Sequence, residues 1–144
     1  MAITQLSVFA QNKPGGIVEI TKLLGEAGVN IRALSLADTS DYGILRLIVD
    51  SVEKAKESLS SAGYIFQLSP VIGVEMSDAP GGLSHTLSVL HEKGVNIEYM
   101  YAFIARKKDN AYIILRAEDC EAAEAVLKQA GAYVLSSDDV ENLH

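Results

Sequence analysis

Cysteine is almost missing: Cys120 is the only one in 144 residues. No disulfide can form within the chain, and no thiolate cage for zinc can be built from one copy. A reducing, cytoplasmic setting is the expectation from that usage. Basic runs are short as well. The longest is Arg106-Lys107-Lys108, in a chain of formal net charge −7. A nucleic-acid surface needs a basic stripe to exchange for phosphate counterions, so DNA and RNA are not expected partners; the cluster, beside Asp109 and Asn110, reads as a solvated turn. Nowhere do roughly eighteen apolar residues run together, and no basic segment followed by an apolar stretch opens the chain, so neither a membrane span nor a leader is expected. Also missing are a nucleophile paired with a base, a phosphate-cradling loop and a dinucleotide fingerprint. His85 and His91 are off the i, i+4 spacing of a helical metal pair and read as surface or structural histidines. Cys120 opens a helix pattern without a histidine as its obvious partner and reads as packing. Catalysis, a metal and a cofactor are therefore not expected.

What is present is an ordinary globular composition, 49% apolar and 22% charged, and an internal repeat. NKPGGIVEITKLLGEAGVNI (residues 12–31) returns as DAPGGLSHTLSVLHEKGVNI (residues 78–97). At an offset of 80 − 14 = 66 the pairs Pro14/Pro80, Gly15/Gly81, Gly16/Gly82, Leu24/Leu90, Glu26/Glu92, Gly28/Gly94, Val29/Val95, Asn30/Asn96 and Ile31/Ile97 align without a gap. Chance at ordinary composition gives about one or two such matches. Further on, YGILRL from Tyr42 pairs with YIILRA from Tyr112 at 112 − 42 = 70, which places four extra residues in the second copy around RKKDN, where a surface hairpin tolerates them.

Each copy changes period in the same order. ITQLSVFAQ (3–11) alternates as a half-buried strand. From Pro14, Ile17, Ile20, Leu23, Leu24 and Ala27 share one helical face, with Pro14 at the entrance and Gly28 at the exit. Residues 30–37 and 43–49 read as a hairpin with a polar turn at Asp38, Thr39, Ser40 and Asp41. Val52, Ala55, Leu59 and Ala62 are spaced for a helix, and YIFQLS (64–69) returns to a strand. The second copy follows with VIGVEM, a helix over 81–93, strands NIEYMYAFIA and AYIILRA, a helix over 121–130, and AYVLS. Twice β-α-β-β-α-β predicts an α+β fold of two ferredoxin-like units, residues 1–69 and 70–144, each an antiparallel four-stranded sheet with both helices on one face. So small a unit leaves the other sheet face bare. Pairing the copies edge-to-edge or face-to-face about a pseudo-twofold axis would cover it.

A free amino acid needs donors for its carboxylate and acceptors for its ammonium. Backbone amides at the start of each first helix supply the donors, and Gly15, Gly16, Gly81 and Gly82 allow close approach. Asn30 and Asn96 carry both an acceptor and a donor, as does Asn12, whereas Asp78 offers only acceptors. The same residues also read simply as turn, helix-start and helix-stop chemistry. Tyr99, Tyr101 and Phe103 share a strand face as core, as interface, or as the lining that selects a ligand. Leu34 and Ser35 stand at the places of Met100 and Tyr101 in the repeat. DDVENL after Ser136 and Ser137 reads as a capped final helical turn.

The doubled motif resembles the ACT domains, small ferredoxin-like modules that bind amino acids and regulate metabolic enzymes. It is carried by Asn12-Lys13-Pro14-Gly15 with Gly28-Val29-Asn30-Ile31, and by Asp78-Ala79-Pro80-Gly81 with Gly94-Val95-Asn96-Ile97. The resemblance spans both halves and implies a ligand held between paired domains, by the Pro-Gly loop of one and strand residues of its neighbour. The implied contact residues are Asn12, Lys13, Pro14, Gly15, Gly16, Ile17, Asn30 and Ile31, with Asp78, Ala79, Pro80, Gly81, Gly82, Leu83, Asn96 and Ile97. Asp78 and Ala79 in place of Asn12 and Lys13 make the two mouths unequal. The expectation is a non-catalytic, homodimeric regulatory protein that senses a small amino acid and passes occupancy to a metabolic enzyme by population shift. A regulatory subunit acting through protein contacts with vestigial ligand sites is the alternative.

Overall fold

The computed structural model describes residues 3–11, 13–38, 42–104 and 109–143. Asn12, the hairpin turn at 39–41 and the basic cluster at 106–108 lie outside them. The elements run β1 (Ile3–Gln11), α1 (Gly16–Glu26), β2 (Ile31–Asp38), β3 (Tyr42–Val49), α2 (Val52–Ser61), β4 (Phe66–Ser77), α3 (Gly82–Glu92), β5 (Ile97–Ala102), β6 (Asn110–Ala117), α4 (Cys120–Gln129), β7 (Tyr133–Leu135) and α5 (Ser137–Glu141). The strands are ordered β2-β3-β1-β4-β6-β5, with β7 also on β4, and every pairing is antiparallel. These are two βαββαβ units, as the alternating periods predict.

One difference concerns their junction. YIFQLS and VIGVEM, read as two strands, are one twelve-residue strand. β4 pairs with β1 as far as Val71↔Ile3 and with β6 from Ile72↔Leu115, so it closes the first sheet and founds the second. Pro70 looks like a break in the sequence, but it lacks only an N–H and stands where the strand changes partners. The division at 69/70 lies inside this strand.

A second difference concerns the repeat. In the ladders, Ser7 faces Arg46 and Gly73 faces Ile114; with 73 − 7 = 66, the third strands are offset by 114 − 46 = 68. The caps of the second helices agree, since Ser51 matches Asp119 at 119 − 51 = 68. The second copy thus carries two extra residues, not four, and YGILRL and YIILRA are slipped by two. A two-residue slip keeps every side chain on its own face of a strand, which is why the false match reads so well. Arg46 and Arg116 are consequently not equivalents.

Three apolar layers hold the molecule. Leu6, Val8, Leu45 and Leu47 pack beneath Ile20, Leu24 and Leu59 of α1 and α2; Ile72, Val74, Ile113 and Leu115 pack beneath Leu90 and Leu127 of α3 and α4. The opposite sheet faces meet each other through Ile3, Ala33, Ile48, Val71, Phe103, Tyr112, Ile114, Leu135 and Val140. The association is therefore face-to-face, and an Ala33↔Phe103 bridge also joins the edges of the two sheets. Tyr99, Tyr101 and Phe103 belong to this contact. The Gln5 side chain, wholly buried, donates to Tyr99 Oη (2.7 Å) and Ser7 Oγ (3.2 Å) and accepts from Tyr101 (2.6 Å), while the Arg46 guanidinium lies 3.8 Å over the Tyr99 ring.

Candidate functional site

The Pro-Gly loops build two near-identical helix entrances. Gly15 has φ 85° and ψ −8°, Gly81 φ 87° and ψ −8°, left-handed angles that favour glycine. The next amide closes a turn in both: Gly16 N–H donates to Lys13 O (3.1 Å) and Gly82 N–H to Ala79 O (3.0 Å). Gly16 and Gly82 are glycine for a different reason. A Cβ on Gly16 would stand 2.6 Å from the Gln11 carbonyl oxygen, and one on Gly82 would overlap the Ser77 carbonyl. Each helix therefore begins directly on the carbonyl that ends the preceding strand. Because the cap is glycine, no side chain satisfies the first-turn amides, which also lack partners within the helix.

Beside each entrance is a cavity, and the two correspond residue by residue. The first, about 390 Å3, is lined by Ala10, Gln11, Gly16, Glu19, Gly63 and Tyr64, with Lys13 at its edge; the second, about 230 Å3, by Met76, Ser77, Gly82, His85, Gly131 and Ala132. The first is polar at its mouth, where Tyr64 Oη donates to Glu19 Oε2 (3.3 Å); burial, then the Glu19 charge, pushes that phenol up. The second is smaller and mixed in character, with Met76, Val89 and Leu127 beside Ser77, Thr86 and His85 in its wall.

The asparagines stand elsewhere. α1 has eleven residues, about 16 Å of helix, and Asn30 lies beyond its far end. Its N–H donates to Asp50 Oδ1 (2.9 Å) and its carbonyl accepts from Asp50 N–H (3.0 Å); Asn96 O accepts from Glu118 N–H (3.4 Å). Within one unit, therefore, loop amides and asparagine cannot hold the same small molecule, and the two sets can combine only across units or across chains. Ile17 and Ile31 pack on the first helix-side core, and Ile97 on the second. Lys13, Pro14, Asp78, Ala79 and Pro80 are exposed, and Leu83 lines a shallow surface groove with His91 on the outer face of α3.

Arg32 was not evident from the sequence. It is buried, and its Nε and Nη2 donate to the carbonyls of Val140 (3.1 Å) and Glu141 (2.9 Å), tying the first unit to α5. The tail after Ser136 is the capped turn expected, a reciprocal capping box between Ser136 and Asp139. Cys120 opens α4, half-buried, with Sγ near the Pro70 and Ala117 carbonyls. Among the described residues, no group of histidine, cysteine and carboxylate side chains could hold a metal, and no helix is long and apolar enough to cross a membrane.

Known proteins match this geometry. A solved protein structure from Bacteroides thetaiotaomicron is 33% identical, covers 99% of this chain and 98% of its own, and superposes with a TM-score of 0.92. The regulatory subunit of aspartate kinase from Thermus thermophilus, in ligand-free form, shares the fold at 20% identity, with coverage of 90% and 92% and a TM-score of 0.66; that from Thermus flavus does so at 20% identity, with coverage of 91% and 94% and a TM-score of 0.61. Among curated proteins none matches. ACT domains are regulatory, non-catalytic modules. With residues 1–143 matched by the ACT domain pair family, the chain belongs to that family.

Proposed function

We propose that the protein is a non-catalytic regulatory module whose Pro-Gly loops receive the carboxylate of a small amino acid, and whose occupancy is read by a metabolic enzyme in the cytoplasm. The observation that carries this reading is the repetition of one helix entrance, with φ at Gly15 and Gly81 two degrees apart (87 − 85) and equivalent cavities beside both. Uncapped first-turn amides at the positive end of a helix favour an anion. Since each asparagine lies a helix length from its own loop, the ammonium side of the ligand would be met by Asn96 or Asn30 of the other unit or of a second chain, which is why a homodimer is part of the proposal. Lys13 and the Tyr64–Glu19 pair suit the first site to a ligand with a polar side chain, and the smaller second cavity suits a smaller ligand.

Isothermal titration against the twenty amino acids tests this, and silence from all of them at millimolar concentration would overturn it. Asn30→Ala and Asn96→Ala should each weaken, by about 1.5–3 kcal/mol, the site that the asparagine completes across the units or chains, the worth of a hydrogen bond to a charged group.

A specific observation favours a second reading. Backbone geometry alone accounts for all four loop glycines, so the loops would persist without any ligand in a subunit that works through protein contacts. Capture of an amino-acid-pathway kinase or dehydrogenase, unaffected by added amino acids, would select it.

A further inference from the structure

On the face of the second sheet that looks into the inter-unit core, three side chains stand in a row. Tyr112 on β6 faces Glu75 on β4, and Glu75 faces Tyr133 on β7. Cross-strand neighbours have Cβ atoms about 4.5–5.5 Å apart, so a carboxylate stands between two phenols. In the first unit the same places hold Ile44, Phe9 and Ile65. Charge occurs here where the sister unit is wholly apolar.

α5, which the first unit lacks because β4 runs straight on, forms the opposite wall. Between them is a cavity of about 670 Å3, with Asp138, Asp139 and Asn142 facing the row and Leu135 and Leu143 as its apolar part. Tyr112 is 7% exposed, its ring held edge-on by Phe103 at 5.7 Å. Its hydroxyl is not sealed off and makes no hydrogen bond among the described residues. Burial, then the charges of Glu75 and Asp139, push that phenol up. Glu75 Oε1 accepts from Asn110 (2.7 Å), and Asp139 Oδ2 accepts from Tyr133 (3.0 Å) and the Ser136 amide (2.9 Å); these bonds orient the carboxylates without neutralising them. Among the described residues no Lys or Arg pairs with Glu75, Asp138 or Asp139. The carboxylates do not converge as metal ligands do, and the space is far larger than one ion needs.

We propose that this cavity binds an organic cation of the short aliphatic diamine class. One ammonium would sit at Glu75 between the two phenol rings, where carboxylate attraction and cation–π contact act together. The chain would lie along Leu135 and Leu143, and the second ammonium would meet Asp138.

The test is titration of the full chain with 1,4-diaminobutane, using 1,4-butanediol and magnesium chloride as controls at matched ionic strength. The diamine should bind one-to-one with a dissociation constant of about 1 mM or tighter, and butanediol and magnesium should not bind. Glu75→Gln and Asp138→Asn should each weaken binding about tenfold or more, and Tyr112→Leu, which removes the ring, about fivefold. Asn30→Ala and Asn96→Ala should leave it unchanged, which separates this site from the amino-acid site. No heat and no thermal shift at about 10 mM diamine would overturn the proposal. So would wild-type affinity in Glu75→Gln and Asp138→Asn, since binding would then be diffuse attraction to a chain of net charge −7.

Discussion

Replacing Arg32 by methionine should loosen the end of the molecule that α5 closes. Methionine keeps the aliphatic stem and removes the guanidinium, so the carbonyls of Val140 and Glu141 lose their donors. A hydrogen bond with a charged donor contributes about 1.5–3 kcal/mol, so two would cost roughly 3–6 kcal/mol if both carbonyls stayed buried. They need not stay: α5 is five residues long and can lift, giving its carbonyls to water. The ceiling is then what docks α5, chiefly Val140 at 3% exposure and the partly buried Leu143. One buried valine contributes about 1.5–3 kcal/mol, and release of the desolvated guanidinium offsets part of the loss. The net is about 2–3 kcal/mol, or roughly 6–12 °C in Tm for a chain of this size. Urea denaturation gives the free energy, and hydrogen exchange at residues 138–142 shows whether the loss begins by local undocking. A Tm within about 2 °C of wild type, with unchanged protection over α5, would refute the assignment of Arg32 as the tie between the units.

Tyr101→Phe should cost about 1–3 kcal/mol in urea denaturation, because it strips the donor from a Gln5 oxygen that water cannot reach; a neutral result would mean Gln5 finds another partner. Gly16→Ala and Gly82→Ala should destabilise more than Gly15→Ala and Gly81→Ala: the first pair drives a Cβ into strand carbonyls, while the second meets only left-handed strain of about 1–2 kcal/mol, and the reverse order of Tm values would contradict that reading. The Ser136 amide, helped by the Tyr133 hydroxyl and opposed by partial burial, holds the Asp139 carboxyl below its ordinary 3.8. A depressed folded pKa means its stabilisation is complete above that ordinary value and fades as pH falls through the folded one, so Asp139→Asn should flatten the acid limb of the stability–pH curve. Superimposable limbs would exclude the mechanism.

The architecture was legible because the period changes were. Alternation in ITQLSVFAQ, the Ile17–Ile20–Leu24 helical stripe and the repeated Gly-Val-Asn-Ile exit are local signals, and local signals survive in one sequence. The helix entrances were legible for the same reason, down to the glycines. What failed depends on partners distant in sequence. Pro70 gave no sign that both of its neighbours lie in one strand, because continuity there is decided by β1 and β6. The slip between YGILRL and YIILRA was invisible because hydrophobic alternation repeats every two residues and cannot distinguish offsets of 68 and 70. Gln5, Arg32 and Arg46 carry no local mark of their partners; the second unit is what buries the first two and covers part of the third. The Asn30 side of the expected ligand cradle was read from motif spacing alone, which conceals the length of α1 between loop and asparagine.

β4 would limit how occupancy of the proposed amino-acid sites could be transmitted. It pairs over residues 66–71 with β1 and over 72–77 with β6, so rotating one unit against the other means bending a shared strand where its two ladders meet. It also means opening the inter-unit core. Exposing only four of its large side chains, Ile3, Ile48, Phe103 and Ile114, would cost about 6–12 kcal/mol at about 1.5–3 kcal/mol each, before the Gln5 network is counted. An effector commonly supplies a differential of about 1–3 kcal/mol, and a ligand cannot shift an equilibrium by more than its own differential affinity. Swinging of the units is thus too expensive to be the signal. Under the proposed function, occupancy would have to be read where structure can move cheaply: at the Pro-Gly loops, at α5, or by a second chain docking over the loops. Hydrogen exchange with and without a bound amino acid should therefore change at residues 13–18 and 79–84 and stay fixed along β1, β4 and β6. A ligand-induced change in the distance between labels on α2 and α4 would show the shared strand to be a hinge after all.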